Sequence, residues 1–530
     1  MNAPSPARRW LGLIAVSLGV ALLVADTTIV NVIVPSLITD LGITSAQAQW
    51  IQESYAIVIA ALLLLTGRFA DLFGARRVFL AGVAVFGATS VLAGLAPSGD
   101  VLILARLLQG VGAAMILPTS LALVNATFTG RERGQAFAVW GSTIGAAAAI
   151  GPLLGGALAE VSWRWAFGIN IPLGVLILAV VTAFLAPSPR TGARIDVAGA
   201  VLSVFGFGLL AFALIEGRTY GWLVSTQPMN IAGLSWDGGP SPVLVALLVA
   251  AVALIAFIRR QATLSRGDTG APLIDVRLFS VASFRNGNIA TLIIGLGEFG
   301  IVAVLPLWLQ FTLEYSALQA GLALVPLAAG SFLASGASFG MAAKLTPLGL
   351  VRLGLVLEIT GLAGLALIAT TDGSWWPIAL ALLLYGAGVG FATAQVTNVV
   401  LADVPGRSAG QASGIQSAAR QLGSALGIAV LTTLFFSVLD TKLSQILAAT
   451  GMPTTQSGRF TDTVTDSAGA VITSLAADPQ TAVVADAARV AMTEGITFAG
   501  YLAAGLLLLG LIATVSIPAA APSSAEPARP

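Results

Sequence analysis

Six charged residues interrupt the long apolar stretches of this 530-residue chain. They are Asp26, Glu53, Arg106, Glu298, Glu358 and Arg420. A charge at the centre of a bilayer costs about 2.5–3.5 kcal/mol even on insertion scales, so such residues are functional candidates. The chain contains no His and no Cys, which excludes disulfide and thiolate chemistry. Proton chemistry must therefore fall to the carboxylates, because histidine is the usual shuttle near neutral pH.

Asp26 is the first candidate for a proton site, because it lies well inside the first apolar stretch. Protonation and the binding of a cationic substrate could compete for its single charge, and such competition is sufficient for antiport. The alternative is a packing role, in which Asp26 is hydrogen-bonded to Asn31 or to a neighbouring backbone group.

Three more charges extend this set of coupling candidates. Glu298 lies in a glycine-rich stretch and is expected to be a second proton site, a cation-recognition site or a packing residue. Arg106 is expected to pair with Asp26 or Glu53 in one conformation, or to form a static ion pair. Glu53 lies near the predicted membrane interface, where it could also be hydrated. Glu358 and Arg420 are weaker candidates.

The amino-acid composition indicates what kind of protein carries these charges. The chain is 57% hydrophobic and 9% charged, with a mean hydropathy of +0.94. Soluble proteins carry roughly 25% charged residues, so this composition predicts a membrane protein. A net charge of +1 gives no reason to expect nucleic-acid binding. No metal-ligand cluster or cofactor motif is visible, no nucleophile–base pair suggests an enzyme, and no GxxxxGK[ST] loop suggests ATP-driven transport.

Apolar stretches of about 20 residues predict fourteen membrane-spanning helices. The predicted spans are 11–36, 50–70, 78–96, 101–126, 136–158, 165–186, 197–216, 242–258, 288–313, 318–343, 352–370, 376–400, 410–438 and 496–517. Lys and Arg concentrate in alternate connections, which places both termini in the cytoplasm. The first helix is interpreted as retained rather than cleaved. The connection 259–287 is expected to contain an interfacial amphipathic segment. The external segment 439–495 is expected to be mainly a solvated loop, with a short helix near 481–491.

The connection after the second predicted helix carries the first family motif, at Gly67, Asp71, Gly74, Arg76 and Arg77. It resembles the hallmark loop G-x-x-x-D-x-x-G-R-R of the major facilitator superfamily, with Ala75 where the family usually has Arg. Two glycines permit a sharp turn. Ion pairs of Asp71 with nearby arginines are expected to latch this end of the bundle in one conformational state.

Three further motifs resemble the fourteen-helix drug:proton antiporters of the multidrug and antiseptic resistance type. Asp26-Thr27-Thr28-Ile29-Val30-Asn31 begins a run ending at Pro35 that is similar to D-x-T-I-V-N-V-A-L-P, and the run from Arg106 to Ala114 is similar to R-x-x-Q-G-x-G-A-A. The antiporter motif is matched by Gly145, Gly151, Pro152, Gly155 and Gly156. The resemblance implies that the helix carrying Gly-Pro shapes the seal between the cavity and one side of the membrane, although a static kink is equally compatible with the sequence.

The resemblance implies an all-α major facilitator fold with 14 transmembrane helices, in two six-helix bundles plus two inserted helices. The expected units are 1–190, 191–287 (the inserted pair and a cytoplasmic loop), 288–517 and a disordered tail 518–530. The implied function is proton-coupled export of amphipathic or cationic compounds across the cytoplasmic membrane by a monomer, with protons as the coupling ion. Export of an endogenous secondary metabolite or a membrane lipid stays open, and a non-transporting membrane sensor is a more distant alternative.

Overall fold

The computed structural model describes residues 6–190, 195–231, 234–236, 238–266, 272–341 and 345–517. The first half contains α1 (Pro6–Leu41), α2 (Ser45–Phe73), α3 (Ala75–Gly94), α4 (Gly99–Thr127), α5 (Gly130–Val161), α6 (Arg164–Gly168), α7 (Asn170–Phe184), α8 (Val197–Tyr220) and α9 (Pro242–Arg266). The second half contains α10 (Ala282–Phe311), α11 (Ala317–Ala323), α12 (Val325–Met341), α13 (Pro347–Ile368), α14 (Trp375–Val400), α15 (Ala409–Ala449), α16 (Thr454–Asp466), α17 (Ile472–Ala477) and α18 (Ala482–Ala513).

The expected helical membrane architecture is confirmed. Among the described residues, 13 helical stretches are long and apolar enough to cross a membrane. Two of them join neighbouring elements, α6 with α7 and α11 with α12. The difference from fourteen falls at α5, a 32-residue helix in which the side chains at 148, 149, 152 and 153 lie outside the described residues. The count of fourteen is therefore not fully confirmed.

The long helices pack in two groups that meet at several helix crossings. In the first group, α1 packs on α5 and α7, and α4 packs on α2 and α3. In the second group, α13 packs on α14, α10 on α15, and α18 on all of α10, α13 and α15. The groups meet where α5 crosses α12 and α14, and where α2 crosses α15. The helices α8 and α9 form a pair in which α8 lies against α2 and α15.

The segment 439–495 is mostly helical, so the prediction of a mainly solvated loop is wrong. The helix α15 continues to Ala449, α16 and α17 follow, and α18 begins at Ala482. Hydropathy missed these helices because they are amphipathic. Their apolar residues Leu443, Leu447 and Val464 are fully buried in the main core, while polar residues cover the outer face. The element bounds inside this segment thus follow packing rather than mean hydropathy.

Two connections differ in detail from the expectation. The helix α9 extends to Arg266, beyond the predicted end at 258, because Gln261 and Ser265 are buried and hydrogen-bonded to the connection that follows. That connection contains a 3-10 turn at Val276–Ser280 immediately before α10. Between α8 and α9, the short strands β1 (Met229–Ile231) and β2 (Leu234–Trp236) pair antiparallel.

Candidate functional site

Asp26 lies at the centre of a fully buried polar network in the first helix group. Its Oδ2 accepts from Arg106 Nη1 at 2.5 Å. Its Oδ1 accepts from Gln109 Nε2 at 3.0 Å and from Asn170 Nδ2 at 2.8 Å. Gln109 and Asn170 also both donate to the Ser90 hydroxyl. The network therefore ties α1, α3, α4 and α7 together, and both carboxylate oxygens are satisfied.

Arg106 extends this network to α2. Its Nε donates to the Ile51 carbonyl oxygen at 3.1 Å, and its guanidinium lies 4.2 Å from the centroid of the Tyr55 ring. The Arg106 side chain is 1% exposed and Asp26 is 0% exposed. Such a pair is stable only because several hydrogen bonds accompany the charge–charge contact. Of the two partners expected for Arg106, the structure brings it to Asp26 and not to Glu53.

A cavity of about 320 Å³ lies between the two helix groups. Its walls come from α1, α4 and α5 on one side and from α10, α12, α14 and α15 on the other. Most of the lining is apolar, including Val24, Leu117, Trp140, Phe299 and Leu327. Asp26 is not among the lining residues. An apolar cavity with a few polar groups is the usual form of a small-molecule site.

Glu298 and Arg420 form the acid–base pair that lines this cavity. Arg420 Nη2 lies 3.6 Å from Glu298 Oε1, and the Thr393 hydroxyl donates to the same oxygen at 3.3 Å. The Tyr385 hydroxyl donates to the Glu298 backbone carbonyl, which holds this part of α10 against α14. The Arg420 guanidinium also lies 5.5 Å from the Phe299 ring centroid. Arg420 points into the cavity rather than toward a membrane face, and its contact with Glu298 is much looser than that between Arg106 and Asp26.

Two further carboxyl groups do not line the cavity, although Glu358 lies close enough to Glu298 and Arg420 for their charges to interact. Glu358 is fully buried in α13, and neither of its carboxyl oxygens has a hydrogen-bond partner. Glu53 of α2 is partly buried and lies within hydrogen-bonding reach of Glu216 on α8. The structure thus separates Glu53 from both Asp26 and Glu298. Sequence reasoning missed Glu216, which closes the predicted helix 197–216.

Asp71 joins the two helix groups at one end of the molecule, here called the Asp71 end. Its carboxylate accepts from the backbone amides of Gly410 and Gln411 at 2.7 and 2.9 Å. It therefore binds the first turn of α15, where free amides and the helix dipole favour a negative charge. A Cβ atom at Gly67 would lie 2.6 Å from the Gly410 carbonyl oxygen and 2.9 Å from Gly414 Cα. The α2–α15 crossing is consequently closed by direct backbone contact.

The other residues of this motif act within the first helix group. Gly74 has φ of +91°, which favours glycine at the turn between α2 and α3. Arg76 Nη2 donates to the Thr182 carbonyl oxygen at 2.6 Å, and its backbone amide donates to the Ser188 hydroxyl. Arg77 is exposed. Asp71 thus accepts from two amides of α15, and Arg68 is a nearby positive charge.

A second contact closes the Asp71 end between α5 and α14. Arg133 Nε donates to Asn398 Oδ1 at 2.8 Å, and its Nη1 donates to the Ala402 carbonyl oxygen at 3.3 Å. Gln395 Nε2 donates to the Gly134 carbonyl oxygen across the same interface. Both helix groups are therefore bound to each other at two separate crossings at this end.

Toward the opposite end, the cavity face of α1 becomes increasingly exposed. Val20 and Val24 line the cavity; Val20 is buried and Val24 half-buried. Thr27 and Asn31 continue the same helical stripe and are exposed. Residues spaced by three or four lie on one helix face. The cavity-facing stripe of α1 is thus accessible beyond Val24, and the exposed Asn31 is not among the residues that bind Asp26.

The glycines of the antiporter motif make different contacts along α5. A Cβ atom at Gly151 would lie 1.8 Å from the Thr28 hydroxyl oxygen, and one at Gly155 would lie 3.2 Å from Ile29 Cα. These two glycines therefore allow α5 to pack closely on α1, which agrees with the role of small residues in membrane helix packing.

The remaining motif residues do not share this contact with α1. A Cβ atom at Gly145 would lie 3.0 Å from the Ser331 hydroxyl oxygen on α12, across the cavity interface. At Gly156 a Cβ atom would meet nothing within 4 Å. Position 152 is helical, but the Pro152 side chain lies outside the described residues, so its predicted bend stays a prediction.

The Asp71 end of α8 is anchored by a polar cluster. Asp196 caps α8 by accepting from the Gly199 amide, and it also binds Arg260 and Gln261 of α9. Burial opposes ionisation of Asp196, but hydrogen bonds from these three groups outweigh it and hold the pKa of the carboxyl below its ordinary value. Gln261 in turn accepts from the Leu273 amide. The α8–α9 pair is thus fixed to its own connection at this end.

A larger surface pocket, of about 480 Å³, shares no lining residue with the central cavity. It is formed by the connection after α10, the connection before α14 and the first turns of α18. Arg489 crosses it by pairing with Glu314 and Asp486. Unlike this pocket, the smaller central cavity contains the buried acid–base pair Glu298 and Arg420.

Comparison with known families identifies the class of protein that this fold and cavity define. The family model described as Major Facilitator Superfamily matches residues 16–239 and 198–428. The chain belongs to this superfamily. It is therefore a multi-pass membrane transporter and not an enzyme.

Among the relatives, the puromycin resistance protein of Streptomyces alboniger is 36% identical over 447 residues, covering 82% of each chain. The probable actinorhodin transporter of Streptomyces coelicolor is 32% identical, covering 86% of this chain and 79% of its own. The multidrug efflux pump LfrA of Mycolicibacterium smegmatis is 30% identical and covers 97% of both.

Two solved structures share the fold at low sequence identity. The human organic anion transporter MFSD10 superposes with a TM-score of 0.60 at 15% identity, covering 96% of this chain and 100% of its own. The proton:xylose symporter XylE superposes with a TM-score of 0.58 at 14% identity, covering 88% of this chain and 96% of its own.

Proposed function

We propose that this chain is a proton-coupled antiporter that exports amphipathic, cationic or aromatic drug-like compounds across the cytoplasmic membrane by alternating access. The observation that carries the proposal is the central cavity, whose apolar walls hold one loosely paired carboxylate, Glu298. The apolar walls suit the hydrophobic part of such a compound. Resistance and multidrug efflux relatives support the same cargo class.

Coupling follows from competition at Glu298. The carboxylate shares its charge with Arg420 at 3.6 Å, a separation at which a guest cation or a proton can replace the arginine. A proton and a cationic substrate cannot both neutralise one carboxylate, so each favours release of the other. The coupling candidates Asp26 and Arg106 hold each other inside a satisfied network, and a proton reaches Asp26 only if that network opens.

The proposed orientation places both termini and the Asp71 end in the cytoplasm. The contacts of Asp71 and Arg133 then close the cytoplasmic side, and the cavity opens outward. In the inward-open state of the cycle, the α2–α15 and α5–α14 crossings must separate. The whole path lies within one chain, so the proposed working unit is a monomer.

A self-made secondary metabolite is the second candidate cargo. Several relatives carry names of this kind, including the probable actinorhodin transporter, a cephamycin export protein and a tetracenomycin C resistance and export protein. Polycyclic aromatic metabolites would fit the same apolar walls. The two cargo classes share the cavity and differ only in the compound supplied.

Transport by proteoliposomes under an imposed pH gradient tests the proposal. The probe is a fluorescent lipophilic cation, compared in wild type, Asp26→Asn, Glu298→Gln and, as a matched control, the exposed Glu160→Gln. We expect gradient-driven movement in wild type and the control, and its loss in Glu298→Gln. A Glu298→Gln variant that still couples would move the proton site to Asp26. A wild type that is inert with and without the gradient would reject cationic drugs as cargo.

A further inference from the structure

Two glutamates meet at the interface between α2 and the first helix of the inserted pair. Glu53 of α2 and Glu216 of α8 lie within hydrogen-bonding reach of each other. Glu216 is 1% exposed. Neither residue lines the central cavity. The pair therefore lies outside the proposed substrate site, on the contact that holds α8 and α9 to the rest of the molecule.

One carboxyl oxygen of each glutamate lacks a hydrogen-bond donor, and a shared proton would supply one. Glu53 Oε1 accepts from Gln49 Nε2 at 2.8 Å, and Gln49 also donates to the Thr219 hydroxyl. The Oε2 atoms of Glu53 and Glu216 are both buried and accept from no donor. An ionised carboxylate has only acceptors, so two that face each other repel unless one carries a hydrogen. One proton between them supplies the missing donor.

No ion pair of the described residues supplies a positive charge to these two carboxyl groups. Among the ion pairs of the described residues, none includes Glu53 or Glu216. Several charged or titratable groups of the neighbouring helices have partners of their own: Arg106 of α4 binds Asp26, Arg420 of α15 faces Glu298, Arg260 of α9 binds Asp196, Arg218 of α8 donates to the Thr465 carbonyl and lies over Phe436, and Tyr220 of α8 packs in an apolar cluster with Trp50.

We propose that Glu53 and Glu216 bind one proton between them, and that this proton fastens the α8–α9 pair to α2. Removal of the proton leaves two charges facing each other in an apolar contact, and α8 then separates from α2 at this end. The Asp71 end of α8 stays fixed, because Asp196 is held there by Arg260 and Gln261. The α8–α9 pair is thus a brace, by which we mean a helix pair fixed at the Asp71 end. Its contact with α2 at the opposite end depends on protonation of Glu53 and Glu216.

Infrared titration of the purified protein in lipid nanodiscs tests the shared proton directly. The signal is the carbonyl stretch of a protonated carboxyl group. We expect Glu53→Gln and Glu216→Gln each to remove the same titrating band completely, because the amide N–H then donates in place of the proton. Glu298→Gln should leave this band unchanged. The proposal would be overturned if wild type showed two separate bands, one lost only in Glu53→Gln and the other lost only in Glu216→Gln.

The mechanical consequence has a second readout, which also checks that the variants are folded. The chain has no cysteine, so spin labels can be placed at Leu95→Cys and Leu223→Cys, two exposed positions beyond the ends of α3 and α8. We expect the label distance to lengthen and broaden as pH rises in wild type and to stay constant in Glu216→Gln. A constant distance in wild type, or the same change in the variant, would contradict the brace.

This inference involves a coupling candidate, Glu53, but neither measurement requires transport. If the infrared band behaves as expected while proteoliposomes move no cation, the shared proton stands and drug export does not. If proteoliposomes show proton-coupled transport but the infrared band is absent, the proposed function stands and the shared proton does not.

Discussion

The two acid–base pairs of this chain differ in how completely the protein satisfies them. Asp26 and Arg106 are both fully buried and lie 2.5 Å apart; Gln109 binds both of them, and Asn170 binds Asp26. Glu298 and Arg420 lie 3.6 Å apart on a cavity wall, and Arg420 is 22% exposed. An ion pair whose hydrogen bonds are all made resists replacement of one partner, whereas a carboxylate in a loose ion pair can accept a proton or a cationic substrate instead. The first pair is therefore suited to holding helices and the second to exchange.

At this scale we predict that Arg106→Gln is strongly destabilising. It leaves the Asp26 charge buried without its ion-pair partner, and breaking a buried pair in this way typically costs about 3–5 kcal/mol. Thermal unfolding of the detergent-solubilised protein, followed by size-exclusion chromatography, measures the loss. The double variant Asp26→Asn/Arg106→Gln serves as the control, because it removes both charges.

The double variant should recover a large part of the lost stability. If Arg106→Gln alone melts at the wild-type temperature, the pair contributes no stability and the holding role is wrong.

Helix packing depends on glycine at specific positions of α5 rather than on the motif as a whole. We predict that Gly151→Ala lowers both stability and transport, because its Cβ would lie 1.8 Å from the Thr28 hydroxyl oxygen. The α1–α5 contact must then widen. Gly156→Ala is the matched control, since nothing lies within 4 Å of its Cβ position. Melting temperature and transport rate of both variants measure the difference, and equal behaviour of the two would contradict this account.

The crossing of α2 and α15 allows a similar prediction about conformation. Gly67→Ala places a Cβ 2.6 Å from the Gly410 carbonyl oxygen, so we expect it to favour separation of the Asp71 end. In the cysteine-free chain, a cysteine at Ser417, which lines the cavity, reports access from that side through labelling by an impermeant thiol reagent.

Labelling from the Asp71 side should increase several-fold in Gly67→Ala and remain unchanged in Gly87→Ala, where a Cβ has open space. Equal labelling of both variants would show that the backbone contact does not control this end.

The sequence predicted most of the long helices, because spans near the cavity are continuous apolar stretches. It failed at 439–495 and at the end of α9, where burial of one face is enough to stabilise a helix and mean hydropathy stays low. At the site, the sequence identified the charges and offered Asp26 as one partner of Arg106, but it did not identify the polar side chains that bind Asp26. Gln109 lies within a recognised motif, yet its bond to Asp26, like that of Asn170, depends on how α4 and α7 meet α1. Glu216 gave no signal beyond being a carboxylate near a helix end.

At the scale of the whole molecule, closure of one end and exposure of the other correspond, in the proposed function, to one state of an alternating-access cycle. Asp71 and Arg133 hold the Asp71 end through contacts between the helix groups, and the stripe from Val20 to Asn31 opens at the opposite end. The proposed protonation and substrate binding at Glu298 would act between these ends, on the wall where both helix groups meet. Exchange at one carboxylate can therefore bias the whole structure.

The most direct test of the central claim measures protons released when substrate binds. Purified protein in weakly buffered detergent solution is mixed with a lipophilic cation, and the pH change is recorded with an indicator dye. Competition at one carboxylate predicts proton release by wild type at a pH where Glu298 is protonated, no release by Glu298→Gln, and unchanged release by the exposed control Glu160→Gln. Binding of the cation to wild type without any proton release, or equal release by Glu298→Gln, would contradict the account.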